Sequence, residues 1–281
     1  MTKKWRGRAP LLWPATGTTT KPKDAPDSHI FGTYLWRDRA YPMPPHGFAM
    51  NQAWSVDTLR VDHAHALTRV RLADTPESRA LYPFGFQLSA EYTLQDGTVS
   101  IAYAVKASAP NAEPLFFSIG NHISFQIPLV KGSVAQDTTI ETPCSLEFLR
   151  DAQKAATGES KPRSIATPTP LSQLPVRNSP LSLGGYANTA APWLRMTDPS
   201  GLALTLRHTA TSLPENGALV RFNLWADETL SCFCPEPWVG LQNSFNSRQG
   251  LVEVAPGGEW HWAITLEIQH PPNNPRPPSP G

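Results

Sequence analysis

Proline limits this chain more than any other residue: 30 of its 281 residues are proline, about twice the usual ~5%. Each one fixes φ and removes a backbone donor, so long helices are disfavoured along the whole chain. Between the prolines the dominant pattern is alternation. Residues 86–94 carry Phe86, Leu88, Ala90, Tyr92 and Leu94 at every second place, Gln95-Asp96-Gly97 supplies turn residues, and residues 98–105 alternate again through Val99, Ile101, Tyr103 and Val105. This spacing predicts a β-hairpin. The pattern recurs at 67–72, 122–127, 202–206, 219–225 and 259–268, with Asp198-Pro199-Ser200-Gly201 and Pro256-Gly257-Gly258 as turns ahead of the last strands of two pairs. No segment sustains a 3.6-residue apolar period, and only residues 75–81 read as a short helical turn. The predicted fold class is all-β, a large antiparallel β-sandwich.

Hydrophobic residues make up 40% of the chain, enough for a sizeable core. Length alone would suggest two domains, but all-β domains of about 200–250 residues are routine. The expected organisation is one domain over residues 1–270 and a proline-rich tail over 271–281, in which six of eleven residues are proline. That composition reads as disordered or polyproline II. Residues 151–192, rich in Ser, Thr, Pro, Ala and Gly, read as a long excursion over the surface with one or two irregular strands.

Lys and Arg number 24 against 23 Asp and Glu. The resulting net charge of +1 gives no reason to expect nucleic acid or an anionic membrane as partner. No apolar run approaches the ~20 residues that span a bilayer. The basic start is followed only by the short, proline-broken stretch Ala9-Pro10-Leu11-Leu12-Trp13, so a cytoplasmic location is the expectation. Three cysteines, Cys144, Cys232 and Cys234, cannot all pair within one chain, and no second cluster completes a zinc site, so no metal is expected. There is no GxGxxG, Walker loop, GxSxG or HExxH.

Three stretches place polar residues where chemistry could sit. In Pro44-Pro45-His46-Gly47-Phe48-Ala49-Met50, with Trp54 just after, prolines stiffen the approach to His46 and Gly47 lets backbone come close to a ligand. In Ser118-Ile119-Gly120-Asn121-His122-Ile123-Ser124-Phe125-Gln126-Ile127, strand alternation would set His122, Ser124 and Gln126 on one face. An imidazole there could move a proton near neutral pH, and a half-exposed strand with a polar face fits equally well. In Cys232-Phe233-Cys234-Pro235-Glu236-Pro237-Trp238-Val239-Gly240, the carboxylate lies between two prolines beside the Trp238 indole, which could stack on a sugar. Such apolar company would raise the pKa of Glu236. Trp260 and Trp262 on the final strand read as packing residues.

Taken in order, Trp5 to Pro14 (Trp-x-Gly-x-x-Pro-Leu-Leu-x-Pro), His46-Gly47-Phe48-Ala49, Tyr82 to Phe86 (Tyr-Pro-Phe-x-Phe), Ser118 to Phe125 (Ser-Ile-Gly-x-His-x-x-Phe), Glu236 to Gly240 (Glu-Pro-Trp-x-Gly) and Pro256-Gly257-Gly258 resemble the aldose 1-epimerase, or galactose mutarotase-like, family over residues 5–268. The resemblance implies a galactose mutarotase-like supersandwich and cofactor-free interconversion of α and β anomers of a free sugar. It implies Glu236 as the base at the anomeric hydroxyl and His122 as the acid at the ring oxygen, the two on opposite sides of one pyranose. It also implies His46 and Arg8, or Arg6, as sugar-binding residues, with Trp54 and Trp238 beside them. No metal or cofactor is implied; the expected partner is a small-molecule sugar substrate, and the expected state of the protein is a monomer or weak dimer.

Two departures matter. Family members usually carry Arg where this chain has Met50, which speaks against a phosphorylated substrate and leaves a carbohydrate-binding protein with a degenerate site as the alternative. The chain also begins almost at its first motif, so the expectation is either a truncated N-terminus or a sandwich lacking N-terminal edge strands, the latter with an exposed core flank. A glycosidase would need a second carboxylate about 5–10 Å from Glu236, and none of the other motifs supplies one.

Overall fold

At the Asp96-Gly97 turn both residues adopt left-handed backbone, with φ of 50° and 76°, the geometry that lets a two-residue turn match strand twist. The strands it joins, Phe86–Gln95 and Thr98–Ala107, pair along their full length. The structure, a computed structural model, describes residues 9–19, 32–151, 156–186, 191–214 and 219–271. Trp5, Arg6, Arg8 and the tail past Pro271 lie outside the described residues.

Among the described residues this hairpin forms the sixth and seventh strands of a nine-stranded antiparallel sheet. Its order is Ile165–Pro170, Thr139–Thr142, Trp193–Thr197, Ala203–Ala210, Glu259–Gln269, Thr98–Ala107, Phe86–Gln95, His65–Ala73, Ser55–Val61. A second antiparallel sheet of eight strands runs Leu11–Leu12, Ile119–Asn121, Cys232–Gly240, Val220–Ala226, Leu181–Gly184, Leu146–Arg150, Ala156–Pro162, with Phe125–Gln126 also pairing to Cys232–Gly240. The all-β sandwich expected from the alternation is the fold observed. The one helical turn anticipated in the sequence is Pro76–Leu81, where Thr75 accepts from Ser78 N–H and Pro76 fills the first turn.

The core lies between the two sheets. Trp260, Trp262 and Ile264 of the larger sheet and Phe222, Leu224, Phe233 and Val239 of the smaller are all at most 3% exposed. Trp13 anchors one end, with Phe48, Tyr82, Phe86 and Phe117 at ring distances of 4.5 to 6.2 Å. Aromatic groups of this kind bury about 150–250 Å² each, which makes them the largest contributors to the core. At the far edge of the larger sheet, Val56, Leu59 and Val61 are 68, 70 and 73% exposed. Their partners Val70, Thr68 and Ala66 place them on the sheet's inner face, past the cover of the second sheet.

Two expectations need correction. The described part of residues 151–192 is not all surface excursion: Ala156–Pro162 and Ile165–Pro170 are largely exposed edge strands, but strand Leu181–Gly184 sits between Val220–Ala226 and Leu146–Arg150 inside the smaller sheet, and Leu171, Val176 and Leu183 are fully buried. Small polar residues concealed the alternation, because Ser182 turns outward between Leu181 and Leu183, whose side chains lie in the core. The 122–127 run is also not one strand. Ile119–Asn121 ends before His122, and the Ser124 hydroxyl donates to the His122 carbonyl at 3.1 Å, a local bond that competes with the ladder.

Candidate active site

Strand Cys232–Gly240 is buried at every position. Its alternation sends Phe233 and Val239 into the core, and Cys232, Cys234, Glu236 and Trp238 to the opposite face. Proline is normally excluded from inner strands because it cannot donate to the ladder, so Pro235 and Pro237 mark this strand as one shaped around Glu236.

Register assembles the site. Ser182 lies opposite Asn223, and Asn223 opposite Glu236. On the other flank Trp238 lies opposite Gly120, and continuing that pairing by two residues on each strand brings His122 to Glu236. The His122 Nε2 to Glu236 Oε1 distance is 3.5 Å. Gly120 is required here, since a Cβ would stand 2.5 Å from the Trp238 indole.

His46 enters from the loop before Gly47, with left-handed backbone at φ 67°. Its N–H donates to the Gly17 carbonyl at 2.8 Å, and Gly17 N–H donates back to Nδ1 at 3.1 Å. With Nδ1 accepting, the neutral ring carries its proton on Nε2. The ring stands 5.5 Å from His122 and 6.5 Å from Trp238, centroid to centroid.

Both carboxyl oxygens of Glu236 accept hydrogen bonds, Oε1 from Asn223 Nδ2 at 3.2 Å and Oε2 from Trp238 Nε1 at 3.1 Å. Arg150, at the end of Leu146–Arg150, donates to Gln242 Oε1, to Ser182 Oγ at 2.6 Å and to Asn223 Oδ1 at 3.2 Å. His46, His122, Arg150, Asn223, Glu236 and Gln242 line a cleft of about 280 Å³, the size class of a small ligand, with Ser182 behind them. A larger depression of about 390 Å³ lies on the outer face of the nine-stranded sheet. It is walled by solvent-exposed ion pairs, Arg69 with Glu91 and Arg71 with Asp57, and it lacks the converging buried polar groups that mark the smaller cleft.

Burial dominates the electrostatics. It pushes Glu236 up to about 8, against the opposing pull of the Asn223 and Trp238 donors and the Arg150 charge. It pulls His122 down to about 3, with neighbouring His46 adding to the effect. His46 itself falls to about 4, first through burial and then through Arg150. At neutral pH the His122–Glu236 pair therefore holds a single proton, resident on the carboxyl.

His46, His122, Glu236 and Trp238 thus converge as the sequence suggests, and Glu236 has the raised pKa expected of it. The roles differ in three respects. Trp238 is only 1% exposed, so it is the floor of the cleft and a donor to Glu236; the indole on the cleft wall is the partly exposed Trp225. Trp54 is not in the cleft: its Nε1 donates to the Ala49 carbonyl at 2.9 Å, and it lines a separate apolar pocket with Met50, Leu11 and Val70. Met50 therefore does not mark the cleft's charge, because the guanidinium there comes from Arg150. Finally, His122 and Glu236 are neighbours and do not face each other across a sugar.

Arg150, Ser182, Asn223, Trp225 and Gln242 were missed. Asn223 and Trp225 could have been found, since they occupy the outward phase of the 219–225 run, alternating with the core residues Phe222 and Leu224. Arg150 carries no local signal. Among the described residues lining the cleft, Glu236 is the only carboxylate. Asp227 is bound by Thr229, Ser231 and Cys232 in its own turn, and Glu228 accepts from Asn178.

No curated protein sequence matches the chain. Among solved structures it is similar to a galactose mutarotase related enzyme from Lactobacillus acidophilus, with 16% identity over 93% of this chain and 83% of that one and a TM-score of 0.72. It is also similar to a galactose mutarotase-like protein from Lactobacillus casei ATCC 334, with 18% identity, 93% and 85% coverage and a TM-score of 0.71. A third is galactose 1-epimerase from Lactobacillus acidophilus NCFM, with 13% identity, 95% and 80% coverage and a TM-score of 0.65. At these identities the likeness concerns the fold. The family profile for aldose 1-epimerase matches residues 32–178, a span that includes His46, His122 and Arg150. With more than half of its length matched, the chain belongs to the aldose 1-epimerase family.

Proposed function

We propose that this protein interconverts the α and β anomers of a free hexose or related sugar by acid–base ring opening at Glu236 and His122. The observation that carries the reading is the 3.5 Å approach of the two groups at the floor of a monosaccharide-sized cleft. The anomeric hydroxyl and the ring oxygen are bonded to the same sugar carbon, so adjacent groups can serve both atoms. Glu236 removes the hydroxyl proton and the carbon–oxygen bond to O1 becomes a carbonyl. The bond from C1 to the ring oxygen breaks with its electron pair on that oxygen, which takes a proton from His122. Rotation about C1–C2 and the reverse steps close the other anomer.

The resting pair already contains the one proton this cycle needs. Moving it from the Glu236 carboxyl to His122 converts the stored form to the working form without exchange with solvent. His46 offers an Nε2–H donor to a sugar oxygen, and Trp225 offers an apolar wall. The test is anomer exchange followed by polarimetry or NMR across a panel of neutral sugars. Acceleration by the parent, lost in Glu236→Gln and His122→Asn, is expected. Parental rates in both variants would overturn the assignment, and binding without acceleration would identify a carbohydrate-binding protein.

A further inference from the structure

Asn223 is an amide whose two ends are almost indistinguishable in shape, yet only one orientation suits Glu236. Its Oδ1 accepts twice, from Ser182 Oγ at 2.9 Å and from Arg150 Nη2 at 3.2 Å. Flipping the amide would turn NH2 against the guanidinium and present a carbonyl oxygen to Glu236. Two donors on Oδ1 therefore commit Nδ2 to Glu236 Oε1, at 3.2 Å. Arg150 is itself fixed, because its other terminal nitrogen donates to Gln242 and Nη2 also reaches Ser182. Both terminal nitrogens are thus engaged on neutral protein acceptors, which is the arrangement of a clamp more than of a hand for substrate.

We propose that Arg150 is a positioning residue: with Ser182 it locks Asn223 so that the amide N–H holds Glu236 Oε1 beside His122. The inference rests on the acid–base reading of Glu236 and His122. Around Glu236 the titratable and charged groups are His122 with His46 behind it, Cys234 on the same strand, and Arg150. Arg150 therefore acts on Glu236 twice, through Asn223 by orientation and through space by charge.

Two variants separate these effects. Arg150→Met removes both, whereas Arg150→Lys keeps the charge but cannot bond Ser182, Asn223 and Gln242 together. Glu236 is followed by 13C NMR titration of its side-chain carboxyl, alongside kcat, KM and the pH profile of anomer exchange. In Arg150→Met the Glu236 titration should move up by about one pH unit, with kcat down about tenfold and KM within twofold. In Arg150→Lys the titration should stay near the parent value while kcat still falls. A rise in KM with kcat intact would make Arg150 a sugar-binding residue and overturn the proposal. An unmoved Glu236 titration in Arg150→Met would overturn it as well, whatever the rates. A parent without exchange activity would refute the acid–base reading alone; the clamp is then decided by the side-chain amide resonances of Asn223, which should shift in both Arg150→Met and Arg150→Lys, and resonances unmoved in both would overturn it.

Discussion

Replacing Glu236 with Gln should make the protein more stable near neutral pH while removing its activity. Glu236 is 1% exposed, and burial raises its pKa from the ordinary 4.5 to about 8. A carboxyl raised in this way contributes fully below pH 4.5, where both folded and unfolded chains hold the proton. Above 4.5 the unfolded chain ionises and the folded chain does not, so stability falls until about pH 8. At about 1.4 kcal/mol per pH unit, the parent loses about 3 kcal/mol between pH 4.5 and 7. Glutamine loses none of it. One oxygen of the amide can still accept from Asn223 or Trp238, but its NH2 then faces the other donor, a loss of about 1 kcal/mol at every pH. The expected net gain at pH 7 is about 2 kcal/mol, or roughly 4 °C in Tm for a domain of this size. Calorimetry of both proteins at pH 4.5, 6, 7 and 8 would follow it. The variant should melt slightly below the parent at pH 4.5 and above it from pH 6 upward. A Tm difference that stays flat across this range would refute the reasoning, since Glu236 would then ionise as an ordinary carboxyl.

The pH profile of kcat/KM should be a broad bell with limbs near 3 and 8, the alkaline limb marking loss of the pair's single proton at Glu236 and the acid limb its second protonation at His122. A rate that rises between pH 4 and 5 and falls between 6 and 7 would mean the two groups titrate as isolated side chains. His122→Asn should lower exchange by about 10²–10⁴-fold, and adding Glu236→Gln should take little more, because both transfers serve one step; a multiplicative double mutant, measured by NMR exchange, would separate their roles. Gly120→Ala should cost about 1–3 kcal/mol in chemical denaturation and reduce kcat, because the new Cβ meets the Trp238 indole at 2.5 Å and pushes its N–H off Glu236; unchanged stability would show that the indole moves freely.

Alternation made the larger sheet legible, because strands such as Phe86–Gln95 and Glu259–Gln269 bury one face and wet the other. The short strand Leu181–Gly184 escaped, since four residues with Ser and Gly among them carry too little periodicity to separate from loop. At the site, His122 and Glu236 stood out because a histidine after a glycine turn and a carboxylate between prolines are locally unusual. Arg150 and Ser182 are ordinary in their own neighbourhoods and acquire meaning only through pairing across strands far apart in sequence. Trp54 misled for the converse reason: closeness to His46 in sequence is undone by the turn Ala49–Asn51, which carries it toward another pocket.

The row from Ser182 through Asn223 to Glu236 draws each member from a separate strand, and His122 follows directly on the end of a fourth, Ile119–Asn121. A slip of one residue in any of them would deliver the side chain to the core face and remove that member outright. Catalytic output is thus a gauge of assembly fidelity. In a refolded preparation, compact molecules with a mispaired strand would keep the spectrum of a β-protein and be silent in turnover, so specific activity would count correctly registered molecules where spectroscopy counts folded ones.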